Sequence, residues 1–308
     1  MIRSSTTSTA PSTVLPSASR TVLRRLEWQV QHSVNTSLSG DYRSAFRGRG
    51  MEFDQVVKYQ WGDDLRSIDW NVTARLGEPY RKKFVEEREL SLILVFEDSP
   101  VLQFGSGQRT RRDSLLEAAA LLMLVSATNR DRVGLFYSSP ETSWFQRPLS
   151  GRKAILRLAT RLLSQAPPPL DVSPSCALPW RMIRRAAPNG GVLLWFGPFV
   201  PTEAPEGWRG LQQRCQTIGV RADDVWDLEL PPRTRLSAYD PVAGQLVNID
   251  TASHATRAAH ARWSRWRETH FTRLFAAVDH RLIIHNDADP LQALMAYFHQ
   301  HGRAGRRG

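Results

Sequence analysis

The fold of this chain is most tightly limited by one short run. Leu92-Ile93-Leu94-Val95-Phe96 is apolar at every position, with no alternation. A strand of that kind is buried on both faces, as happens in the middle of a parallel sheet. Downstream, strands and helices alternate. A helix is predicted from about Ser114 to Thr128, with Ser114 and Glu117 at capping-box spacing. Val133 to Ser138 is the next strand. Lys153 to Gln165 is helical and is stopped by Pro167-Pro168-Pro169. Then come a helix near Cys176 to Ala187, a strand from Gly191 to Phe196, a helix from Trp208 to Ile218 and an extended stretch from Val220 to Leu228. Arg235 to Ile249 reads as a hairpin, Thr251 to Ala277 as a long helix, and His280 to His285 as a strand. The last helix opens at Asp289-Pro290, an N-cap followed by proline at the first position. Such alternation predicts an α/β fold: a doubly wound, mostly parallel sheet with helices on both faces. Ligands of these sheets bind beyond the carboxyl ends of the strands, at a switch point. The loop after Phe96 is therefore the first place to look for chemistry.

Upstream the texture differs. Residues 1–20 form a Ser/Thr/Pro-rich stretch expected to be disordered. Thr21 to Thr36 carries Leu23, Leu26 and Val30 at helical spacing. Residues 40–90 are punctuated by Gly48, Gly50, Gly62 and Gly77, with extended pieces at Phe53–Gln60 and Pro79–Val85. They read as an irregular β-rich subdomain. The predicted division is a tail (1–20), a helix plus β-rich subdomain (21–90), the sheet domain (91–300) and a basic tail (301–308). No apolar run is long enough to span a bilayer, and the N-terminus lacks the apolar core of a secretory signal. Cys176 and Cys215 are the only cysteines and match no metal or disulfide spacing. These features point to the cytoplasm.

The chain of 308 residues has a formal net charge of +11, and all but four of its 41 basic residues are arginines. The charge could attract nucleic acid or an anionic surface. The arginines are dispersed, however, and the densest groups are short: Arg109, Arg111 and Arg112; Arg184 and Arg185; and Arg303, Arg306 and Arg307. They read as solvated surface charge. Phosphate-loop, dinucleotide, GxSxG and HExxH motifs are absent. Gly105-Ser106-Gly107 reads as a turn rather than a phosphate cradle. The run Glu86-Glu87-Arg88-Glu89 reads as a solvated stretch of mixed charge.

The segment Gly62-Asp63-Asp64-Leu65-Arg66-Ser67-Ile68-Asp69-Trp70-Asn71-Val72-Thr73-Ala74-Arg75 is distinctive. With Gly48 to Phe53 before it, Pro79-Tyr80 and Glu86 to Leu90 after it, and Asp131-Arg132-Val133-Gly134-Leu135 further on, it resembles the bacterial family called domain of unknown function 58. The resemblance runs from about residue 20 to residue 300. It implies a von Willebrand factor A-like sheet domain, no established enzymatic activity, and partnership with a MoxR-type AAA+ ATPase. Within the signature, Trp61, Asp63, Asp64, Arg66, Asp69, Trp70 and Arg75 combine carboxylates, guanidiniums and indoles. Arg–Asp pairs lock irregular backbone; Arg and Trp also dominate interface hot spots. The set either holds the β-rich subdomain against the sheet or forms a docking face.

The resemblance also implies a Mg²⁺ or Mn²⁺ site at the top of the sheet, built from Asp-x-Ser-x-Ser, a threonine and a later aspartate. Mg²⁺ wants hard oxygen ligands in octahedral array. Here the matching positions are Glu97-Asp98-Ser99-Pro100-Val101, then Leu170 in Leu170-Asp171-Val172 and Pro198 in Gly197-Pro198-Phe199. Val101, Leu170 and Pro198 offer no side-chain oxygen, so the motif is degenerate and no cofactor is expected. A different cation site at Glu97, Asp98 and Asp171 is the alternative. The expected function is a non-enzymatic interaction module, with the ATPase as partner and other proteins as clients. Binding of nucleic acid or an anionic surface through an arginine-rich face is the competing reading.

Overall fold

The computed structural model describes residues 17–33, 37–47, 55–60, 68, 70–83, 89–172, 176–200, 203–232, 234–240 and 243–304. The chain opens with two helices, α1 (Ser17–Ser33) and α2 (Ser37–Arg47). A two-stranded antiparallel ribbon follows, β1 (Gln55–Lys58) with β2 (Tyr80–Lys83), and between them lies α3 (Trp70–Leu76). The region predicted as β-rich is thus partly helical. Ser17 to Arg20, expected in a disordered tail, form the first turn of α1; residues 1–16 and 305–308 lie outside the described residues.

The rest builds one six-stranded sheet. Its elements are β3 (Ser91–Glu97), α4 (Arg111–Thr128), β4 (Arg132–Ser138), β5 (Ser143–Leu149), α5 (Arg152–Leu163), α6 (Trp180–Ala186), β6 (Val192–Phe196), α7 (Trp208–Arg214) and β7 (Gln216–Asp223). They continue with the short α8 (Val225–Leu228), the hairpin β8 (Arg235–Asp240) and β9 (Gln245–Asp250), α9 (His254–Leu274), β10 (Arg281–His285) and α10 (Pro290–Ala304). The strand order is β10-β7-β6-β3-β4-β5, parallel throughout except for β5, which runs antiparallel to β4. The sequence pattern does not announce β5, because Arg147 and Pro148 interrupt it. The stretch Val220 to Leu228, read as extended throughout, instead splits into the end of β7 and a helical turn.

β3 is the centre of the sheet, as its sequence predicts. Leu92 through Phe96 are all fully buried. Leu92, Leu94 and Phe96 face the layer of α4, α5 and α10, while Ile93 and Val95 face α6, α7 and α9. Each such side chain contributes about 1.5–3 kcal/mol by leaving water. α4 has thirteen buried residues out of eighteen, because α1 and α10 pack outside it. A helix covered on all sides must be apolar all round, and its run from Leu115 to Val125 shows only one charge, Glu117. Its cap is Thr110 with Asp113, each side chain accepting from the other's backbone N–H. The predicted Ser114–Glu117 box lies one turn too late; Glu117 pairs instead with Arg25 and Arg109.

On the opposite face α9 reaches the sheet through Phe271, with Phe275 just past its end packed alongside. Gly219 on β7 makes room: a Cβ there would fall 2.4 Å from the Phe275 ring and 2.7 Å from that of Phe271.

Candidate functional site: the crevice at the carboxyl ends of the strands

From β3 the chain crosses to β4 on one side; from β6 it crosses to β7 on the other. The divergence marks a switch point between the carboxyl ends of β3 and β6, the place where sheets of this kind form a crevice. Glu97 and Asp98 stand at its edge, as the sequence indicates.

Asp98 is fully buried and tightly held. Arg112, from the first turn of α4, grips it in fork geometry: Nε lies 2.9 Å and 3.1 Å from the two carboxylate oxygens, and Nη2 lies 2.8 Å from Oδ2. The Tyr137 hydroxyl donates to Oδ2 at 2.7 Å. Arg112 Nη2 also donates to the carbonyls of Gln165 and Ala166, at 2.8 Å and 3.2 Å. Burial alone would lower the Arg112 pKa, but Asp98 outweighs it and raises it. Charge-assisted, bidentate pairs of this kind are the strong ones. The clamp joins β3, β4, α4 and the loop after α5.

Glu97 has a different environment. Its Oε2 accepts a hydrogen bond from the Trp195 indole at 2.9 Å. Trp195 belongs to an aromatic cluster with Trp180, Phe199, Trp208 and Phe275. Burial against this wall pushes the Glu97 carboxyl up to about 7, although the indole hydrogen bond pulls it down. Gly197 lies close against this pair: a Cβ there would fall 2.8 Å from Glu97 Oε2, so the carboxylate would have to move. Phe199 adopts φ of 48°, a left-handed value unusual for a bulky residue, and its ring is held by Trp195, Phe271 and Phe275.

The other predicted positions divide. Ser99 is buried and precedes the short 3₁₀ turn Pro100–Gln103; Val101 contributes only its carbonyl, which accepts from Arg111 at 3.2 Å. Pro198 is buried, whereas Leu170 and Asp171 are exposed. Glu97, Asp98 and Asp171 are not gathered into a cation site: among the described residues, no group of three or more His, Cys, Asp or Glu could hold a metal ion. Trp61, Asp63, Asp64, Arg66 and Asp69 lie outside the described residues, as does Glu86-Glu87-Arg88. Trp70 and Arg75 are on α3 and exposed, Trp70 at 70%.

A pocket of about 430 Å³ opens at the β4–β5 turn, its polar wall made by Ser138, Ser139, Thr142 and Glu141. Cys176, near Ser138, is pushed up to about 11, mainly by burial. Its thiol stays protonated at neutral pH and is a weak nucleophile.

A second charged network, missed in the sequence, caps β7. Asp223 receives Arg267 Nη2 at 2.7 Å and Arg221 Nη2 at 2.9 Å. Arg221 also pairs with Glu268 at 2.7 Å. Burial pushes the Asp223 carboxyl up, but Arg267 and Arg221 together outweigh it and hold it below the usual carboxylate range. Arg111 pairs with Asp227, and Asp224 accepts from Ser106 N–H at 2.8 Å and Oγ at 2.6 Å. Gly105-Ser106-Gly107 is therefore a turn that ties the β3–α4 connection to the end of β7. The run Asp223-Asp224-x-x-Asp227 after an apolar strand was the available signal. Of the arginine groups read as surface charge, the first has separate acids waiting: Glu117 for Arg109, Asp227 for Arg111, Asp98 for Arg112.

No helix among the described residues is long and apolar enough to cross a membrane. In comparisons with known proteins, an uncharacterized protein of Mycobacterium tuberculosis is 27% identical over 236 residues, covering 75% of this chain and 74% of the relative. Among solved structures, the pilus adhesin SpaC from Lactobacillus rhamnosus GG matches at 13% identity and a TM-score of 0.36, over 71% of this chain and 30% of the adhesin. PilB minor pilin from Streptococcus sanguinis matches at 9% identity and a TM-score of 0.34, over 73% of this chain and 63% of the pilin. The chain spans less than two thirds of either structure. The family model described as Protein of unknown function DUF58 matches residues 55–270, most of the sheet domain together with the signature segment, and the chain belongs to that family.

Proposed function

We propose that this chain is a protein-interaction module with a von Willebrand factor A-like fold, an adaptor that works with a MoxR-type AAA+ ATPase on client proteins. The fold assignment is supported by the strand order, with β3 central and a single antiparallel edge strand. The partner class comes from the family resemblance.

The observation that carries the reading is the clamp on Asp98. Asp98, next to the Glu97 position where the resemblance places the first metal-binding aspartate and itself part of the alternative cation set, is already neutralised by a buried guanidinium. Val101, Leu170 and Pro198 bring no side-chain oxygen, and the Glu97 carboxyl is engaged by Trp195. The donor set does not fit Mg²⁺ or Mn²⁺, which need several hard oxygens around one point. On this reading the top of the sheet is a preformed, metal-independent binding surface that Arg112 holds in shape.

The test is a binding measurement between the full chain and a purified MoxR-type ATPase, with and without ATP and with EDTA. A complex that persists in EDTA, once the ATPase's own need for Mg-nucleotide is controlled, supports the reading. A rise in melting temperature with Mg²⁺ that Glu97→Ala abolishes would overturn the metal-independent crevice. Recovery of nucleic acid alone, with salt-sensitive affinity, would favour the arginine-rich face as a nucleic-acid site.

A further inference from the structure

Between β7 and β10 the chain makes an outcrop that neither the sheet nor the crevice explains. It comprises α8, the β8–β9 hairpin and most of α9. Of thirteen exposed large apolar side chains among the described residues, seven fall between Val225 and Val278. Exposed apolar side chains that lie side by side mark interaction surfaces. α9 is buried only through Arg267, Phe271 and Leu274. Ahead of that foot, Trp263 and Trp266 are 39% and 55% exposed. They are three residues apart and so share a helix face. α8 packs beside them, with the His260 ring 2.8 Å from the Trp226 carbonyl. Its Val225 and Leu228 are 52% and 60% exposed.

The charge on α9 is one-sided. The helix carries Arg257, Arg262, Arg265, Arg267 and Arg273 against a single acid, Glu268. Arg267 is engaged by Asp223 and Asp227, Glu268 by Arg221, and Arg257 by the Thr251 carbonyl. Arg262, Arg265 and Arg273 remain exposed, and no ion pair joins them among the described residues.

We propose that the exposed flank of α9, with α8 beside it, docks an acidic and partly apolar face of a protein partner. The proposal rests on the protein-interaction reading above and names its surface. Tryptophan and arginine are the residue types that dominate interface hot spots, and unpaired guanidiniums are matched by carboxylates. Val225 and Leu228 favour a protein over a nucleic acid, because aliphatic side chains offer bases no stacking face. A membrane surface fits less well. Beyond its two tryptophans the exposed flank is Ala, Arg and Thr, short of the apolar face an interfacial helix inserts.

Two paired variants of the full chain test this, Trp263→Ala/Trp266→Ala and Arg262→Glu/Arg265→Glu, each checked for unchanged melting. Binding is measured to the purified MoxR-type ATPase, to a single-stranded oligonucleotide and to phosphatidylglycerol vesicles. The expected result is that both variants lose about tenfold or more in ATPase affinity. Equal ATPase binding by wild type and variants overturns this surface and leaves the adaptor reading intact. Oligonucleotide or vesicle binding that the same variants abolish, without loss of ATPase binding, also overturns it. If wild type does not bind the ATPase, the adaptor reading fails by itself, and photocrosslinking decides the surface. A benzoylphenylalanine replaces Trp266, with Arg157 on α5 as the control position. An identified acidic protein that crosslinks only at 266, and that binds in purified form to wild type but not to Arg262→Glu/Arg265→Glu, supports the surface. No such crosslink overturns it.

Discussion

α4 and α9 are the two longest helices against the sheet, and they lie on opposite faces. α4 buries thirteen of eighteen residues; α9 buries three of twenty-one. Yet both are anchored in the same way. Each sends a buried arginine to an aspartate at the carboxyl end of a strand: Arg112 of α4 to Asp98 after β3, and Arg267 of α9 to Asp223 at the end of β7. A clamp of this kind sets where a helix begins or ends on the sheet without requiring the whole helix to be core. Burial and anchoring are therefore separable. α4 is scaffold along its length, whereas α9 is fastened at its foot and leaves the rest of its surface available.

Four experiments put that contrast at risk. The largest effect is expected from Asp98→Ala, which strands the Arg112 charge in the interior with only carbonyls for company. Removing one partner of a buried pair costs about 3–5 kcal/mol, and urea denaturation should show a loss of that size. The next effect has the opposite sign. Folded Glu97 holds its proton more tightly than the unfolded chain does, so the folded state carries the extra proton between the ordinary value of 4.5 and about 7. Its contribution to stability therefore falls as pH rises through that window. Glu97→Gln should be more stable than wild type by about 3 kcal/mol near pH 8 and indistinguishable from it near pH 4; melts across that range would expose a flat difference if the carboxyl is not desolvated.

Asp223→Ala should cost less than Asp98→Ala, about 2–3 kcal/mol, because Arg267 keeps Asp227 and Arg221 keeps Glu268. In wild type the depressed Asp223 carboxyl adds stability above its unfolded pKa, and that part disappears as acid protonates it. A cost equal to that of Asp98→Ala would show that the two clamps are equivalent after all. The smallest effect is expected from Trp266→Ala, below about 0.5 kcal/mol in stability, since the ring stands largely in solvent. A large loss on thermal melting would mean that the flank of α9 is core.

Much of this architecture was legible because apolar periodicity is local. β3, β4, β6, β10, the hairpin and the opening of α10 stand where the residues put them. β5 was hidden by Arg147 and Pro148, and α2 by its polar composition and Gly40. At the crevice, Glu97 and Asp98 could be placed from the end of an apolar run. Their partners could not. Arg112, Tyr137 and Trp195 lie 14, 39 and 98 residues away from the groups they contact. Nothing local distinguishes Arg112, which is buried, from Arg109 beside it, which is half-buried. Pairing of charges is decided by which strands and helices meet, and one sequence does not record that.

The antiparallel course of β5 bears on how the molecule assembles. The last strand of a sheet is a template on which another chain can add hydrogen bonds. β5 carries Pro148, which has no N–H to donate, next to Arg147, and its register against β4 slips between Val133 and Leu135. Proline, charge and a bulge are three separate ways to spoil a template. The sheet can therefore end at β5 without recruiting a neighbouring strand at that edge.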